Sequence, residues 1–298
     1  MTKTILITGA TGNISSGIMT QLKGSEHRLL ALVRNPEKAE ELARQGVELR
    51  VGDLEKPWTL GSAFAGADIV WILAPPGPRA PEQCSNALWA ARQAGAKHIV
   101  RLSAFGATHT APTINSRLHA LSDAELVGSG IPFTILKPHY FMQNLLMAAQ
   151  SVAQQATMYF ALADGKMGLI DSRDISEFAA QVLTTTGHEG KTYTLTGPAS
   201  VSMYQVAAAI GEAIGKAVKY VPVTVEAQRQ SILQMGIDEW TANLLGDYSA
   251  AYSANWGDLV TDDFQRVTGK APRSIAQFCR DFAGAFGINC RTEESINR

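Results

Sequence analysis

Residues 4–15 read Thr4-Ile5-Leu6-Ile7-Thr8-Gly9-Ala10-Thr11-Gly12-Asn13-Ile14-Ser15, and this order decides the fold. Thr4–Thr8 is a continuous run without alternation, as a strand buried on both faces of a parallel sheet requires. Gly9 permits a tight turn and Gly12 lets the backbone approach a ligand. Ser15 is the third small residue, the one needed for close packing of helix on strand. A helix opening at Asn13 turns its free amide groups and positive dipole end toward an anion such as a pyrophosphate. Two glycines alone are a weak signal; between the first strand and first helix of a βαβ array they are a strong one.

Outward from that turn, short β-branched runs alternate with helical stretches. Further strands are expected at Leu29–Val33, Val47–Val51, Asp68–Leu73, Lys97–Ser103 and Phe133–Lys137. Helices are expected over Asn13–Lys23, from Pro36 to about Gln45 with Asn35 as N-cap, over Ala87–Ala94 and over Ser116–Gly128. Six strands with intervening helices predict an α/β protein with a Rossmann-type, doubly wound parallel sheet and right-handed crossovers. After Pro138 the rhythm changes. Helices are expected at Phe141–Val152, Asp174–Thr185 and Met203–Ile214, and short strands at Lys191–Thr196 and Val218–Val221, the first returning to the sheet. The rest, from Thr224, reads as mostly helical. The expected organisation is a dinucleotide-binding domain over 1–150, with about 164–197 returning to it, and a smaller, mostly helical substrate lobe over 198–298 packed over the strands' carboxyl ends. The polar tail Asn289–Arg298 reads as frayed.

Of the 298 residues, 46% are hydrophobic and 18% charged, which excludes an intrinsically disordered chain. A net charge of −1 gives no broad attraction to nucleic acid or anionic membrane. No apolar run reaches the roughly 18–20 residues that span a bilayer. The start runs directly into the first strand and leaves no room for a signal peptide. Cys84, Cys279 and Cys290 are an odd count without CxxC spacing, which reads as free thiols in a reducing cytoplasm. No HExxH, paired-cysteine or clustered His/Asp pattern suggests a metal site, and neither a Gly-x-Ser-x-Gly elbow nor a Gly-Lys-Ser/Thr loop is present.

Six motifs in order carry a family resemblance: Thr8-Gly9-Ala10-Thr11-Gly12-Asn13, Val33-Arg34-Asn35-Pro36, Gly52-Asp53, Gly95-Ala96-Lys97-His98, Ser129-Gly130-Ile131-Pro132 and Phe141-Met142-Gln143-Asn144. With them the chain resembles the NmrA-like branch of the atypical short-chain dehydrogenase/reductases, nearest to its type 2 quinone oxidoreductases and triphenylmethane reductases. The resemblance covers nearly the whole chain and implies an NAD(P)-binding fold.

The residues themselves choose NADP(H). An NAD-specific domain usually ends its second strand with an acid for the ribose 2′-hydroxyl. Here Arg34 holds that place, and a planar guanidinium suits the 2′-phosphate of NADP. Lys38, one turn into the following helix, adds a second cation. Arg34 is otherwise a solvated loop charge. Gly9, Thr11, Gly12, Asn13 and Ile14 form the expected pyrophosphate cradle. Asp53, with Leu54 beside it, stands where relatives bond the adenine amino group, or else caps a helix. Ala74-Pro75 passes along the ribose and pyrophosphate by topology. Pro138, Tyr140 and Phe141, after the sixth strand, border the nicotinamide, although the two aromatic rings are equally explicable as core.

Ordinary short-chain dehydrogenases pair Tyr-x-x-x-Lys, and none of the seven tyrosines has lysine four residues later. The resemblance puts His119 where isoflavone-reductase-like enzymes hold their catalytic lysine. Asp123 stands four residues on, so on one helical face its carboxylate would orient the imidazole or raise its pKa; the bland alternative is a surface pair that steadies a helix. Ser103 matches the family's substrate-side serine or threonine, or simply closes a strand. Trp240, Tyr248, Tyr252 and Trp256 supply either a second aromatic wall or core packing. These features together predict an NADPH-dependent cytoplasmic oxidoreductase, monomer or homodimer, delivering hydride to a small aromatic or conjugated substrate: a quinone, dye, activated C=C bond or imine. No nucleic acid or membrane partner is expected. The other reading is a non-catalytic NADP(H)-sensing regulator that binds a protein partner.

Overall fold

Thr4–Ile7 forms strand β1 of the computed structural model, which describes residues 2–287; the tail Asn289–Arg298 and Cys290 lie outside the described residues. The chain continues through α1 (Asn13–Leu22), β2 (Arg28–Val33), α2 (Glu40–Arg44), β3 (Glu48–Val51), α3 (Leu60–Phe64), β4 (Ile69–Ile72), α4 (Ala80–Gln93), β5 (His98–Leu102), α5 (Ile114–Gly128) and β6 (Phe133–Pro138). There follow α6 (Ala149–Gln155), β7 (Thr157–Phe160), β8 (Lys166–Met167), α7 (Ser172–Thr184), β9 (Lys191–Leu195), β10 (Val201–Ser202), α8 (Met203–Ile214) and β11 (Lys219–Pro222). The last helices are α9 (Val225–Gln234), α10 (Glu239–Ser253), α11 (Asp263–Thr268), α12 (Ile275–Asp281) and α13 (Ala283–Phe286).

Seven strands pair in the order β3-β2-β1-β4-β5-β6-β9, every neighbouring pair parallel. The fold is a Rossmann-type α/β sheet with helices packed on it. Ile5, Leu6 and Ile7 are fully buried, because β1 lies mid-sheet between β2 and β4. The strand order reverses at β1 and β4, so their carboxyl ends open the crevice where such sheets take ligands. Helix α1 lies close against α7. A Cβ on Gly17 would come within 2.4 Å of Ser176 Oγ, and that hydroxyl donates to the Ile14 carbonyl at 3.0 Å.

The chain divides into two compact units. One comprises Met1–Pro138, Ser172–Leu195 and Asp263–Lys270, the other His139–Asp171, Thr196–Asp262 and Ala271–Arg298. The second unit is mostly helical and holds two small sheets, β10 antiparallel to β8 and β11 parallel to β7. Strands β7, β8 and β10 have no counterpart among the sequence expectations, for they are two to four residues long and offer too little periodicity. The helix expected at Phe141–Val152 is a 3-10 stretch, Met142–Ala148, running into α6. That expected from Pro36 is likewise a 3-10 turn, Pro36–Ala39, followed by α2, while α4 begins seven residues before the expected Ala87. Among the described residues no helix is long and apolar enough to cross a membrane.

Candidate active site

The glycine turn is built as its residues require. Gly9 has φ +61°, and a Cβ there would meet Leu73 Cδ2 at 3.0 Å. Gly12 N–H donates back to the Gly9 carbonyl at 2.9 Å and closes the turn. No side chain caps α1, so its first-turn amides stay open to a ligand. Thr11, Gly12 and Asn13 are exposed, whereas Ile14 is buried and anchors the helix. Ser15 is wholly buried: its hydroxyl donates to the Thr8 carbonyl at 2.9 Å and accepts from Trp71 Nε1 at 3.0 Å. The third small residue thus ties helix to strand.

After β2, Arg34 and Lys38 are both exposed, and among the described residues neither side chain forms an ion pair or hydrogen bond. Asn35 caps the segment, its Oδ1 accepting from Glu37 N–H at 2.9 Å. Asp53 Oδ1 accepts from Glu55 N–H at 3.0 Å and closes a turn rather than capping a helix. Leu54 is buried in the cluster with Leu32, Leu60 and Cys84. Ala74 is half-buried and Pro75 exposed, just beyond the carboxyl end of β4. These residues fit a dinucleotide: a backbone cradle that a Cβ would fill, uncapped amides, and two unpaired cations past the second strand.

A second cluster lies along β5, α5 and β6. Asp123 accepts from Arg101 Nη1 and from Ser103 Oγ at 2.8 Å, and lies 3.4 Å from Lys137 Nζ. Lys137 also donates to the Ala107 carbonyl at 3.0 Å. His119 Nδ1 lies 3.1 Å from Arg101 Nη2. This corrects the expectation drawn from the His119–Asp123 spacing. The carboxylate is taken by Arg101, Ser103 and Lys137, and the partner of His119 is a cation. Burial, with the charges of Arg101 and Lys137, pulls the His119 pKa down to about 3, opposite to the direction expected from a carboxylate neighbour. Ser103 is 3% exposed, its hydroxyl turned into this cluster.

The second unit contains an apolar cavity of about 400 Å3, walled by Tyr140, Tyr159, Phe160, Met235, Leu245 and Tyr248 among others. Among the described residues, no aspartate, glutamate, lysine or arginine lines it. Tyr140 meets Tyr248 edge-on at 6.3 Å and Tyr252 edge-on at 5.6 Å between ring centroids. Burial and the neighbouring Tyr248 push the Tyr140 phenol above its ordinary range. Of the four aromatic residues read as a second wall, Tyr248 lines the cavity and Tyr252 is core; Trp240 and Trp256 are half-buried and do not line it. Phe141 bridges Ile170 and does not line it either.

Arg101, Gln228 and Ser231 were not singled out by sequence reasoning. Arg101 had a usable signal, a charge inside the apolar strand His98–Leu102. Gln228 binds Ala161 N–H at 2.9 Å and Ser249 Oγ at 2.8 Å, and nothing in its helix distinguishes it from a surface glutamine.

Comparison with known proteins agrees with this architecture. An NAD(P)H azoreductase of Xenophilus azovorans is 37% identical over 283 residues, 95% of this chain and 99% of that protein. The structure of an NADPH-dependent quinone oxidoreductase of Escherichia coli complexed with NADPH matches with a TM-score of 0.85 at 28% identity, over 93% of this chain and 99% of that one. The triphenylmethane reductase of Citrobacter sp. complexed with NADP(H) matches with a TM-score of 0.83 at 27% identity, over 94% and 99%. The NmrA-like family model matches residues 1–252, from the glycine turn through the aromatic helix α10, and the chain therefore belongs to the NmrA-like family.

Proposed function

We propose that the chain is an NADPH-dependent reductase of flat, conjugated, electron-poor acceptors: quinones, dyes, azo compounds, activated C=C bonds or imines. Family membership, with an azoreductase and a quinone oxidoreductase as full-length relatives, makes it an NAD(P)H-dependent oxidoreductase. The same relatives weigh against a regulator without turnover.

The acceptor class rests on one observation, the uncharged aromatic cavity of the second unit. A pocket of about this size takes a small organic ligand, and its tyrosine rings favour planar π systems over sugars or phosphates. The turn Gly9–Asn13, with Ile14 buried behind it, holds the pyrophosphate on the α1 amides. Arg34 and Lys38 meet the 2′-phosphate, and Asp53 stands at the adenine side. When bound, NADPH supplies the hydride. The chain's own residues orient the acceptor, exclude water and meet the charge the acceptor gains. His119 is the residue we assign to that last task, and Ser103 is linked to it through Asp123 and Arg101.

The test is NADPH consumption against a panel of quinones, dyes, azo compounds, enones and imines, with nucleotide binding measured separately by calorimetry. Reduction of at least one planar acceptor is expected. Tight NADPH binding with no turnover anywhere on the panel would refute the reading.

A further inference from the structure

Arg101 stands in the apolar strand β5, with its side chain only 3% exposed. Burying a guanidinium there is costly unless its partners compensate it, and stability alone is weak grounds for such a charge. Its partners are unequal. Nη1 donates to Asp123, which also accepts from Ser103 and lies beside Lys137; Nη2 donates to His119 Nδ1 at 3.1 Å. Two cations therefore share one carboxylate, and the excess positive charge lies against the imidazole.

The donor inventory decides the state of His119. A guanidinium has no acceptor lone pair, so Nδ1 must be the acceptor and carry no proton. A neutral imidazole in that contact holds its proton on Nε2. The groups facing it are Arg101 from β5, Lys137 from β6 and Asp123 from its own helix, with the Cys84 thiol of α4 at 3.8 Å from Arg101 Nη2.

We propose that Arg101 is a positioning residue that holds His119 as the neutral Nε2–H tautomer, so that His119 meets the acceptor as a hydrogen-bond donor and not as an acid that surrenders a proton. This rests on the placing of His119 in the active site. Hydride entering a quinone brings two electrons and leaves one negative charge delocalised onto the carbonyl oxygen. The Nε2–H group, sharpened by the positive field behind it, suits that oxygen. The proton that completes the hydroquinone comes from water. Burial and the charges of Arg101 and Lys137, which lower the His119 pKa, agree with this assignment, since all three disfavour an imidazolium there.

Long-range 1H–15N spectra of the full chain test it, with His119→Gln identifying one of the six histidines. The wild-type signal is expected to be the neutral Nε2–H form at about pH 8 and unchanged at about pH 5, with kcat/KM for a quinone flat across that range. Arg101→Met leaves Asp123 without its guanidinium and risks unfolding, so Arg101→Met combined with Asp123→Asn is the decisive variant. There His119 is expected to be protonated at about pH 5, and kcat/KM to change about tenfold through a titration near pH 6 that the wild type lacks, because the donor then gains or loses a positive charge. A wild-type Nδ1–H form, a wild-type titration near pH 6, or a double variant with unaltered spectra and pH profile would each overturn the assignment. Failure of every acceptor would instead strike the reductase reading, with the spectra still judging Arg101.

Discussion

Replacing Arg34 with alanine separates recognition of the 2′-phosphate from every other part of nucleotide binding. The side chain is exposed and has no protein partner among the described residues, so its loss should change folding stability by no more than about 0.5 kcal/mol. A hydrogen bond from a guanidinium to a phosphate contributes about 1.5–3 kcal/mol, which corresponds to about a 10- to 150-fold rise in Kd for NADPH. NADH lacks the phosphate, and its Kd should not move. Lys38 is a point charge on an exposed stem and its effect is screened, so Lys38→Ala should cost less and lose more of its effect in high salt. The assay is calorimetric titration of wild type and both variants with each nucleotide at two ionic strengths. Equal losses for NADPH and NADH on Arg34→Ala, or no loss at all, would refute the assignment of Arg34 to the 2′-phosphate.

Gly9→Ala places a side chain at φ +61° and 3.0 Å from Leu73 Cδ2, a strain of about 1–2 kcal/mol that should weaken NADH and NADPH alike, in contrast to Arg34→Ala. Gly17→Ala drives a Cβ to within 2.4 Å of Ser176 Oγ and should lower stability by about 1–3 kcal/mol, read as a lower urea midpoint; an unchanged midpoint would contradict the tight contact of α1 with α7. His139 is buried, stacks on Tyr252 and donates from Nε2 to the Gly257 carbonyl at 3.0 Å, and burial draws its pKa down to about 4. The folded state holds it neutral, so its contribution is complete above the unfolded value of about 6.5 and is lost as pH falls from there toward 4, about 3 kcal/mol in all. His139→Gln should flatten that part of the stability–pH curve, and an identical acid limb in the variant would contradict the account. Leu245→Glu puts a carboxylate into the uncharged cavity and should raise KM for a neutral quinone about tenfold or more while NADPH binding is unchanged; unaltered KM would move the acceptor elsewhere.

The sheet was legible because its residues answer to one period. Most runs from Thr4 to Phe133 are short and apolar, as in Thr4–Ile7 and Ile69–Ile72, and they alternate with helical stretches, which is the pattern of a parallel sheet. The return of Lys191–Leu195 to the sheet was legible for the same reason. The turn at Gly9 and Gly12 was legible because glycine best satisfies the positive φ at the first and the close backbone approach at the second. The cluster around His119 was not. Spacing along α5 can bring His119 and Asp123 to one helical face, but it cannot see what β5 and β6 present to that face. Arg101 and Lys137 arrive from residues 18 positions away on either side of His119, and they capture the carboxylate first. A charge inside a buried strand was the available sign, and its meaning depended on tertiary neighbours.

The absence of Tyr-x-x-x-Lys then gains a physical interpretation. That pair exists to protonate an alkoxide, a strong base that cannot form in a dry site without an acid beside it. Tyr140, one of the tyrosines that line the cavity, moves the wrong way for this work: no lysine lowers it, and burial pushes its phenol higher. Under the proposed assignment His119 is neutral and offers no replacement acid, in keeping with the lowering of its pKa by burial and by Arg101 and Lys137. Under the proposed reading, the only acceptors left are those whose hydride adduct is already stable, with charge spread over a ring system and a conjugate acid near the phenol value of about 10. Hydride transfer to such acceptors needs hydrogen-bond donation and orientation but no simultaneous proton. The same reasoning excludes simple aliphatic ketones, whose adduct is a localised alkoxide that would need an acid beside it.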